Sequence, residues 1–81
     1  MGQQVTQILE QAFQGMNVEL FEMSSGRLSG TIIWDGFDGQ EQGDRQHLVR
    51  EVLKEALGAQ VQEVSILLAY TPHEMSAMQA A

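Results

Sequence analysis

Apolar residues in the first part of the chain recur at intervals of three and four, which is the spacing of one face of an α-helix. Glutamines fill the positions between them, so the opposite face is polar. Gly15 lies where the C-terminus of a helix favours glycine. The pattern predicts an amphipathic helix that ends near Gly15. Its apolar stripe consists of Val5, Ile8, Leu9, Ala12, Phe13 and Met16.

The pattern then changes to alternation, which is typical of β-strands. The first alternating segment covers residues 17–23, with Val18 and Leu20 on the same side. A Ser-Ser-Gly turn signal at residues 24–26 separates it from a second segment. These features predict a β-hairpin over residues 17–35. The apolar side of the second segment is Leu28, Gly30, Ile32 and Trp34.

A long helix and a third strand are predicted in the second half of the chain. Residues 35–44 are rich in glycine and acid, which indicates a loop, and Asp44 is placed to cap the helix. Gly58 ends the helix, and the nearly continuous apolar run over residues 61–69 predicts a central, covered strand. Residues 71–74 read as a capping box with proline at the first helical position, which predicts a short tail helix. The stripe of the long helix is Leu48, Val49, Val52, Leu53, Ala56 and Leu57.

The elements follow in the order αββαβ(α), which predicts an α+β fold. The link from the second strand through the long helix to the third strand is a crossover, so these strands are expected to pair in parallel. We predict a two-layer sandwich, with a three-stranded mixed sheet and two helices on one face, as a single domain over residues 1–81. The sheet residues expected beneath the helices are Val18, Leu20, Ile32, Val64 and Ile66.

Charge and composition exclude several classes of function. Four basic and eleven acidic residues give a net charge of −7, so we expect neither a nucleic-acid partner nor a membrane partner. The lack of cysteine excludes disulfides and thiolate-bound metals and favours a reducing compartment, so we expect a cytoplasmic protein without a cofactor. No phosphate loop or serine elbow is present, so we predict that the protein is not an enzyme.

Three short motifs have a functional and a structural interpretation. Residues 1–6 fit the pattern for myristoylation of Gly2, but no basic patch supports an acyl anchor. Residues 36–39 spell the GxxG of KH domains, whose fold is similar in outline, but the loop carries no cation for phosphate. The acids of the loop do not have the spacing of an EF-hand, which favours a solvated loop over a cation site. They are Asp35, Asp38, Glu41 and Asp44.

The segment Phe37-Asp38-Gly39, with Arg45 after five further residues at the start of a helix, resembles the signature of the BolA-like family. The third strand and the following residues 70–74 are similar to the closing strand and the tyrosine-threonine tail of that family. The motifs together cover residues 37–75. The resemblance implies the α+β fold and an iron–sulfur cluster shared with a monothiol glutaredoxin. In the family a histidine before the last strand and a cysteine or histidine in the hairpin loop help to hold that cluster.

Both of these ligand positions are changed in this sequence. Gln62 stands where the resemblance places the strand histidine, and residues 24–27 of the hairpin loop offer neither a thiol nor an imidazole. An amide is a poor ligand for iron beside soft sulfur. These departures argue against cluster sharing.

We therefore predict a BolA-like domain that acts by binding another protein. The alternatives are a glutaredoxin-linked iron or iron–sulfur regulator and a nucleic-acid-binding module. Arg45 is expected to pair with Asp38 or Glu41 across the loop. The predicted partner site lies where the loop meets the long helix and comprises Trp34, Phe37, Asp38, Gly39, Arg45 and His47.

The second candidate surface is the face of the sheet opposite the helices, which would carry Phe21 and Ile33. The tail helix could instead cover this face with Met75 and Met78.

Overall fold

The computed structural model describes residues 2–80, and these form three α-helices and one three-stranded sheet. Short 3₁₀ turns at Asp35–Phe37 and Gly58–Glu63 flank the long helix and its loop. The observed order αββαβα confirms the predicted α+β fold. None of the helices in residues 2–80 is long and apolar enough to cross a bilayer. The helices are α1 (Gly2–Ala12), α2 (Gln42–Leu57) and α3 (Pro72–Ala80), and the strands are β1 (Asn17–Glu22), β2 (Leu28–Ile33) and β3 (Val64–Tyr70).

The sheet is ordered β1-β2-β3, so β2 is its central strand. β1 pairs antiparallel with β2 through the predicted hairpin, whose Gly26 has a φ of +88° that favours glycine. β3 pairs parallel with β2 after the crossover through α2. The prediction that the third strand is central is therefore wrong. The apolar run that suggested it includes Val61, which lies buried in the 3₁₀ turn before β3.

One extra residue in β3 determines which of its side chains face the helices. The pairs on either side of this irregularity are Leu28 with Val64 and Gly30 with Leu67. Leu67 is three residues after Val64, whereas Gly30 is two residues after Leu28. From this point on, the residues of β3 that face the helices are those that would otherwise face outward. As a result Leu67 and Ala69 are buried, whereas Ile66 and Leu68 are exposed. The prediction that Ile66 lies beneath the helices is wrong for this reason.

The hydrophobic core lies between the sheet and helices α1 and α2. Both predicted stripes contribute to it, although Ala12 and Ala56 at their margins are exposed. Val18 and Leu20 of β1 are half-buried against the core. The largest fully buried side chains are Phe37, Leu9, Ile32, Leu53 and Val5.

The long helix begins three residues earlier than predicted. Its N-cap is Glu41, which has extended backbone angles and no side-chain cap hydrogen bond. Asp44 therefore lies in the first turn, where a carboxylate interacts favourably with the helix dipole, and the prediction that it caps the helix is wrong. Gly58 terminates α2 with a φ of +60°, as predicted.

The capping box predicted for the tail helix is present. The Glu74 N–H donates to Thr71 Oγ1 at 3.1 Å, and the Thr71 N–H donates to Glu74 Oε1 at 2.9 Å. Pro72 occupies the first helical position, where its missing N–H has no helical acceptor in any case. The start of α3 is thus fixed by local hydrogen bonds.

Candidate functional site

The Arg45 side chain lies in the interior, where it connects α2 to β3, α3 and the loop. Only 4% of the residue is exposed. Nη1 and Nη2 donate to the two carboxylate oxygens of Glu74 at 2.7 and 3.1 Å, which is the bidentate geometry of the strongest arginine–carboxylate pairs. Nη1 also donates to the Ala69 carbonyl at 3.0 Å, and Nε donates to the Gln40 carbonyl at 2.9 Å. Arg45 thus donates to acceptors in the loop, in β3 and in α3, of which the Ala69 carbonyl is buried.

The partner of Arg45 differs from the prediction, which named Asp38 or Glu41. Those loop acids are exposed, and the guanidinium points away from solvent toward Glu74. The hydrogen bond from Arg45, followed by that from the Thr71 backbone, lowers the pKa of Glu74 to about 2. The same hydrogen bond raises the pKa of Arg45. Both groups are therefore ionised at neutral pH.

An aromatic cluster anchors the loop beside this ion pair. The Trp34 ring makes edge-to-face contacts with Phe13 and Phe37, at centroid distances of 5.0 and 5.2 Å. Phe37 is fully buried, and the Arg45 guanidinium carbon lies 5.6 Å from its ring centroid. Trp34 Nε1 donates to the Gln14 carbonyl at 3.0 Å, so the half-buried indole is also tied to the chain after α1. The loop is held to the core by these contacts.

The six predicted partner-site residues separate into an interior group and a surface group. Trp34, Phe37 and Arg45 form the interior cluster, and two of them are buried. Phe37 and Arg45 are buried and contact the loop. The surface group consists of Asp38, Gly39 and His47. The role of all six residues in binding a partner stays a prediction.

His47 borders a small groove between α2 and the start of β3. The cavity has a volume of about 150 Å³, below the roughly 300–1,000 Å³ of typical small-molecule sites. Its floor is apolar, and its polar rim includes Ser65 and Arg50. His47 Nε2 lies 3.9 Å from Glu51 Oε1 one helical turn away, with both side chains well exposed. In residues 2–80 no three potential metal ligands converge, here or elsewhere.

The sheet face opposite the core is apolar and uncovered. Phe21 on β1 is 62% exposed, and Ile66 and Leu68 on β3 are 59% and 44% exposed. Of the two methionines expected to cover this face, Met78 is exposed and does not cover it, whereas Met75 is half-buried. Across the sheet, Glu19 lies opposite Thr31, which in turn lies opposite Leu68. We define the open face as Glu19, Phe21, Thr31, Ile33, Ile66 and Leu68.

Side chains from α2 cap the outer edge of β3. Gln46 Nε2 donates to the Leu67 carbonyl at 2.7 Å, and Gln42 Nε2 joins Arg45 at the Ala69 carbonyl, at 2.8 Å. These carbonyls point away from β2. The sequence analysis missed this role, for which the only available signal was the spacing of the two glutamines by one helical turn.

Comparison with known proteins relates this fold to one family. No family model and no curated protein sequence matches the chain. The BolA domain of SufE1 from Arabidopsis thaliana has a TM-score of 0.74 at 22% identity, covering 90% of this chain and 93% of that chain. BolA1 from Arabidopsis thaliana has a TM-score of 0.75 at 19% identity, with the same coverage of 90% and 93%. A Bol-like protein from Babesia bovis has a TM-score of 0.64 at 20% identity, covering 98% of this chain and 93% of that chain. As the sequence resemblance implied, this chain has the fold of the BolA-like proteins.

Proposed function

We propose that this chain is a non-enzymatic BolA-like domain that binds another protein through the open face. The observation that carries the proposal is the exposure of Phe21, Ile66 and Leu68 on one surface of the sheet. These side chains lie on the two outer strands, and Ile33 of β2 belongs to the same face. Large apolar side chains cost free energy in water, and burial against a partner removes that cost. Exposed apolar surface of this kind is typical of protein-binding sites.

The rigidity of the sheet supports this assignment. β2 is paired on both sides, so the strands that carry the apolar side chains are already ordered before a partner arrives. Binding to an ordered surface loses less conformational entropy than binding to a flexible one. Glu19 adds one carboxylate to the open face, and the net charge of −7 favours association with a basic partner.

The chemistry of the remaining surface gives less support to catalysis. The groove beside His47 is small, and its titratable residues His47 and Arg50 lie at its exposed rim. A general acid or base needs a shaped site that holds the substrate and modifies its pKa. Protein binding explains the exposed apolar side chains of the open face, which an enzymatic role would not explain.

Replacement of Ile66 and Leu68 by serine tests the proposal. Both side chains are exposed, so the fold is expected to persist while the apolar surface on β3 is lost. Proteins cross-linked to the wild type and to the double variant in an extract are quantified by mass spectrometry, and the main partner is then titrated as a purified protein. We expect the double variant to bind that partner at least about tenfold more weakly, as loss of two buried apolar contacts requires.

Met78→Ser is the matched control, because Met78 is 54% exposed on α3 and lies outside the open face. It is expected to bind the partner like the wild type. If the double variant also binds like the wild type, the open face is not the interface.

The glutaredoxin-linked alternative has a separate test. Gln62 is exposed in the 3₁₀ turn before β3 and presents an amide at the position implied for a histidine. Mixing with an iron-loaded monothiol glutaredoxin is expected to leave the visible absorbance of the cluster unchanged. A new absorbance spectrum that requires Gln62, compared with a Gln62→Ala variant, would favour the iron–sulfur role.

A further inference from the structure

We infer that the free edge of β1 binds an extended basic segment of a partner protein, which joins the sheet as a fourth strand. The inference rests on the proposed function in one respect, namely that the ligand is a protein. It concerns the backbone of β1 and the charges beside it rather than the apolar side chains of the open face.

The two edges of the sheet differ in how their backbone is used. On β3, the outward carbonyls of Leu67 and Ala69 accept hydrogen bonds from side chains of α2. On β1, no side chain in residues 2–80 makes a comparable hydrogen bond to the backbone. An edge strand with free N–H and C=O groups is a template for another strand. The open template in this sheet is therefore β1.

The hairpin identifies which backbone groups of β1 are free. The Met23 N–H donates to the Arg27 carbonyl at 2.7 Å, so the backbone of Met23 points toward β2. In an antiparallel pair the backbone direction alternates from one residue to the next. The N–H and C=O groups of Val18, Leu20 and Glu22 consequently point away from the sheet. They are spaced as an added strand requires.

A groove lies along this edge, between β1 and the beginning of α1. Its volume is about 630 Å³, and Gln3 and Thr6 of α1 form its far side. Its lining includes two carboxylates, Glu19 and Glu22, and no lysine or arginine. The charged side chains of this lining are therefore all acidic. This charge pattern favours a segment that carries lysine or arginine.

The alternating sides of β1 specify the added segment further. Glu19 and Phe21 face the open side of the sheet, so a basic and an apolar side chain fit opposite them. Val18 and Leu20 face the core side, where apolar side chains fit beside α1. A second copy of this chain fits less well, because it would bring two molecules of net charge −7 together at an acidic edge. A helix fits less well because its backbone groups are already bonded.

The first test uses a short fluorescein-labelled peptide of alternating lysine and valine. The matched control peptide has the same side chains but carries a methyl group on every backbone nitrogen, so it keeps the charge and cannot donate the hydrogen bonds of a ladder from either edge. Fluorescence anisotropy at physiological salt is expected to show binding that is about tenfold weaker for the methylated peptide, since it lacks two or more backbone hydrogen bonds. Equal affinities would show attraction by charge alone and overturn the inference.

Amide hydrogen exchange locates the peptide on the protein. We expect the peptide to protect the Val18 and Leu20 amides. Protection of Leu67 and Ala69 instead would place the peptide on the other edge and overturn the inference. The amides of Val18 and Leu20 could also be protected without peptide, to an extent that rises with protein concentration. If sedimentation then showed a dimer, the edge would be assigned to a second copy and the inference would be overturned.

Variants of the protein give an independent test. Glu22→Pro removes an outward N–H on an edge strand, where proline is tolerated, and Glu22→Ala is its matched control. The proline variant is expected to bind the peptide more weakly than the alanine variant, and equal binding contradicts the inference. Should Glu22→Pro fail to fold by circular dichroism, Glu19→Lys is compared with Glu63→Lys, an exposed acid outside the groove. Only Glu19→Lys is expected to weaken binding, and equal binding by these two variants contradicts the inference as well.

The serine variants of Ile66 and Leu68 keep the β1 edge intact. They are expected to retain the peptide even if they lose the protein partner, so failure of this inference and failure of the proposed function are distinguishable.

Discussion

Arg45 and Glu74 lie 29 positions apart in the sequence and form a bidentate ion pair that joins α2 to α3. The same Glu74 carboxylate accepts the Thr71 N–H and so completes the capping box of α3. The geometry of the α3 N-terminus therefore depends on a residue of α2. Two predictions concern this pair.

Replacement of Arg45 by methionine is expected to destabilise the protein by about 1–3 kcal/mol, because the buried Ala69 carbonyl and the half-buried Gln40 carbonyl each lose a donor. Arg50→Met on the exposed side of the same helix is the matched control and is expected to change the free energy of unfolding by less than about 0.5 kcal/mol. Urea unfolding followed by circular dichroism measures both. Equal midpoints for the two variants would show that the buried pair contributes nothing.

Stability is expected to fall in acid because of Glu74. Its pKa is lowered from the ordinary value of 4.5 to about 2 in the folded protein. The folded state thus favours the carboxylate, so the contribution of Glu74 is complete above pH 4.5 and is lost as the pH falls toward 2. The Glu74→Gln variant should be less stable than the wild type near neutral pH, and this difference should shrink across that acid range. Urea midpoints measured over the pH series test this, with Glu63→Gln as an exposed control. A difference that stayed constant with pH would contradict it.

Substitution of two leucines, one in the core and one on the open face, tests the two surfaces of the sheet separately. Leu53 on α2 is 2% exposed, and Leu53→Ala is expected to cost about 2–4 kcal/mol of stability because it leaves a cavity. Leu68 on β3 is 44% exposed, and the same substitution there is expected to cost less than about 1 kcal/mol. Chemical denaturation of both variants tests the assignment. A large cost at Leu68 would mean that the open face is covered within the free protein.

Gly30 is required by the close approach of β1 to β2. A Cβ atom at this position would overlap the carbonyl oxygen of Glu19, which belongs to the backbone and cannot move without disturbing the sheet. Gly30→Ala is therefore expected to destabilise the protein by about 2 kcal/mol or more. Gly43 in the first turn of α2 has open space around it, so Gly43→Ala is expected to be neutral or to stabilise by up to about 1 kcal/mol. Thermal unfolding of the two variants should show opposite or clearly unequal shifts.

Nucleic acid is expected not to be retained at physiological salt. The net charge is −7, and Arg45 is used in the interior ion pair, which leaves Arg27, Arg50 and Lys54 as the exposed cations of the chain. Fluorescence anisotropy with labelled RNA and DNA over a salt series measures this. Micromolar affinity that falls steeply with added salt would reveal a basic surface formed by these three residues.

Much of the architecture follows from local patterns in the sequence. The hairpin turn at Gly26 and the stop at Gly58 depend on neighbouring residues, and each is found where it is expected. The first helix also forms, but it ends at Ala12 rather than near Gly15. The capping box around Glu74 is local in the same sense. Such features depend on a few consecutive residues, so one sequence is sufficient to predict them.

The errors arise where distant parts of the chain meet. The burial of β3 depends on its register against β2, and the extra residue near Ile66 cannot be inferred from apolar composition alone. The partner of Arg45 is on another element, whereas the sequence analysis considered only acids in the adjacent loop. Phe37 belongs to the segment that resembles the BolA-like signature, and its ring is fully buried. A motif identifies a position more readily than it identifies the direction of a side chain.

The capping of β3 by Gln42 and Gln46 has a consequence for how copies of the sheet can assemble. A fibre in which sheets pair edge to edge requires two free edges on every molecule, because each molecule must pair with one neighbour on either side. The Leu67 and Ala69 carbonyls already accept hydrogen bonds from α2, which leaves β1 as the edge that can accept another strand. Growth by this route ends after one addition, so the molecule can leave one strand accessible without forming an open-ended polymer.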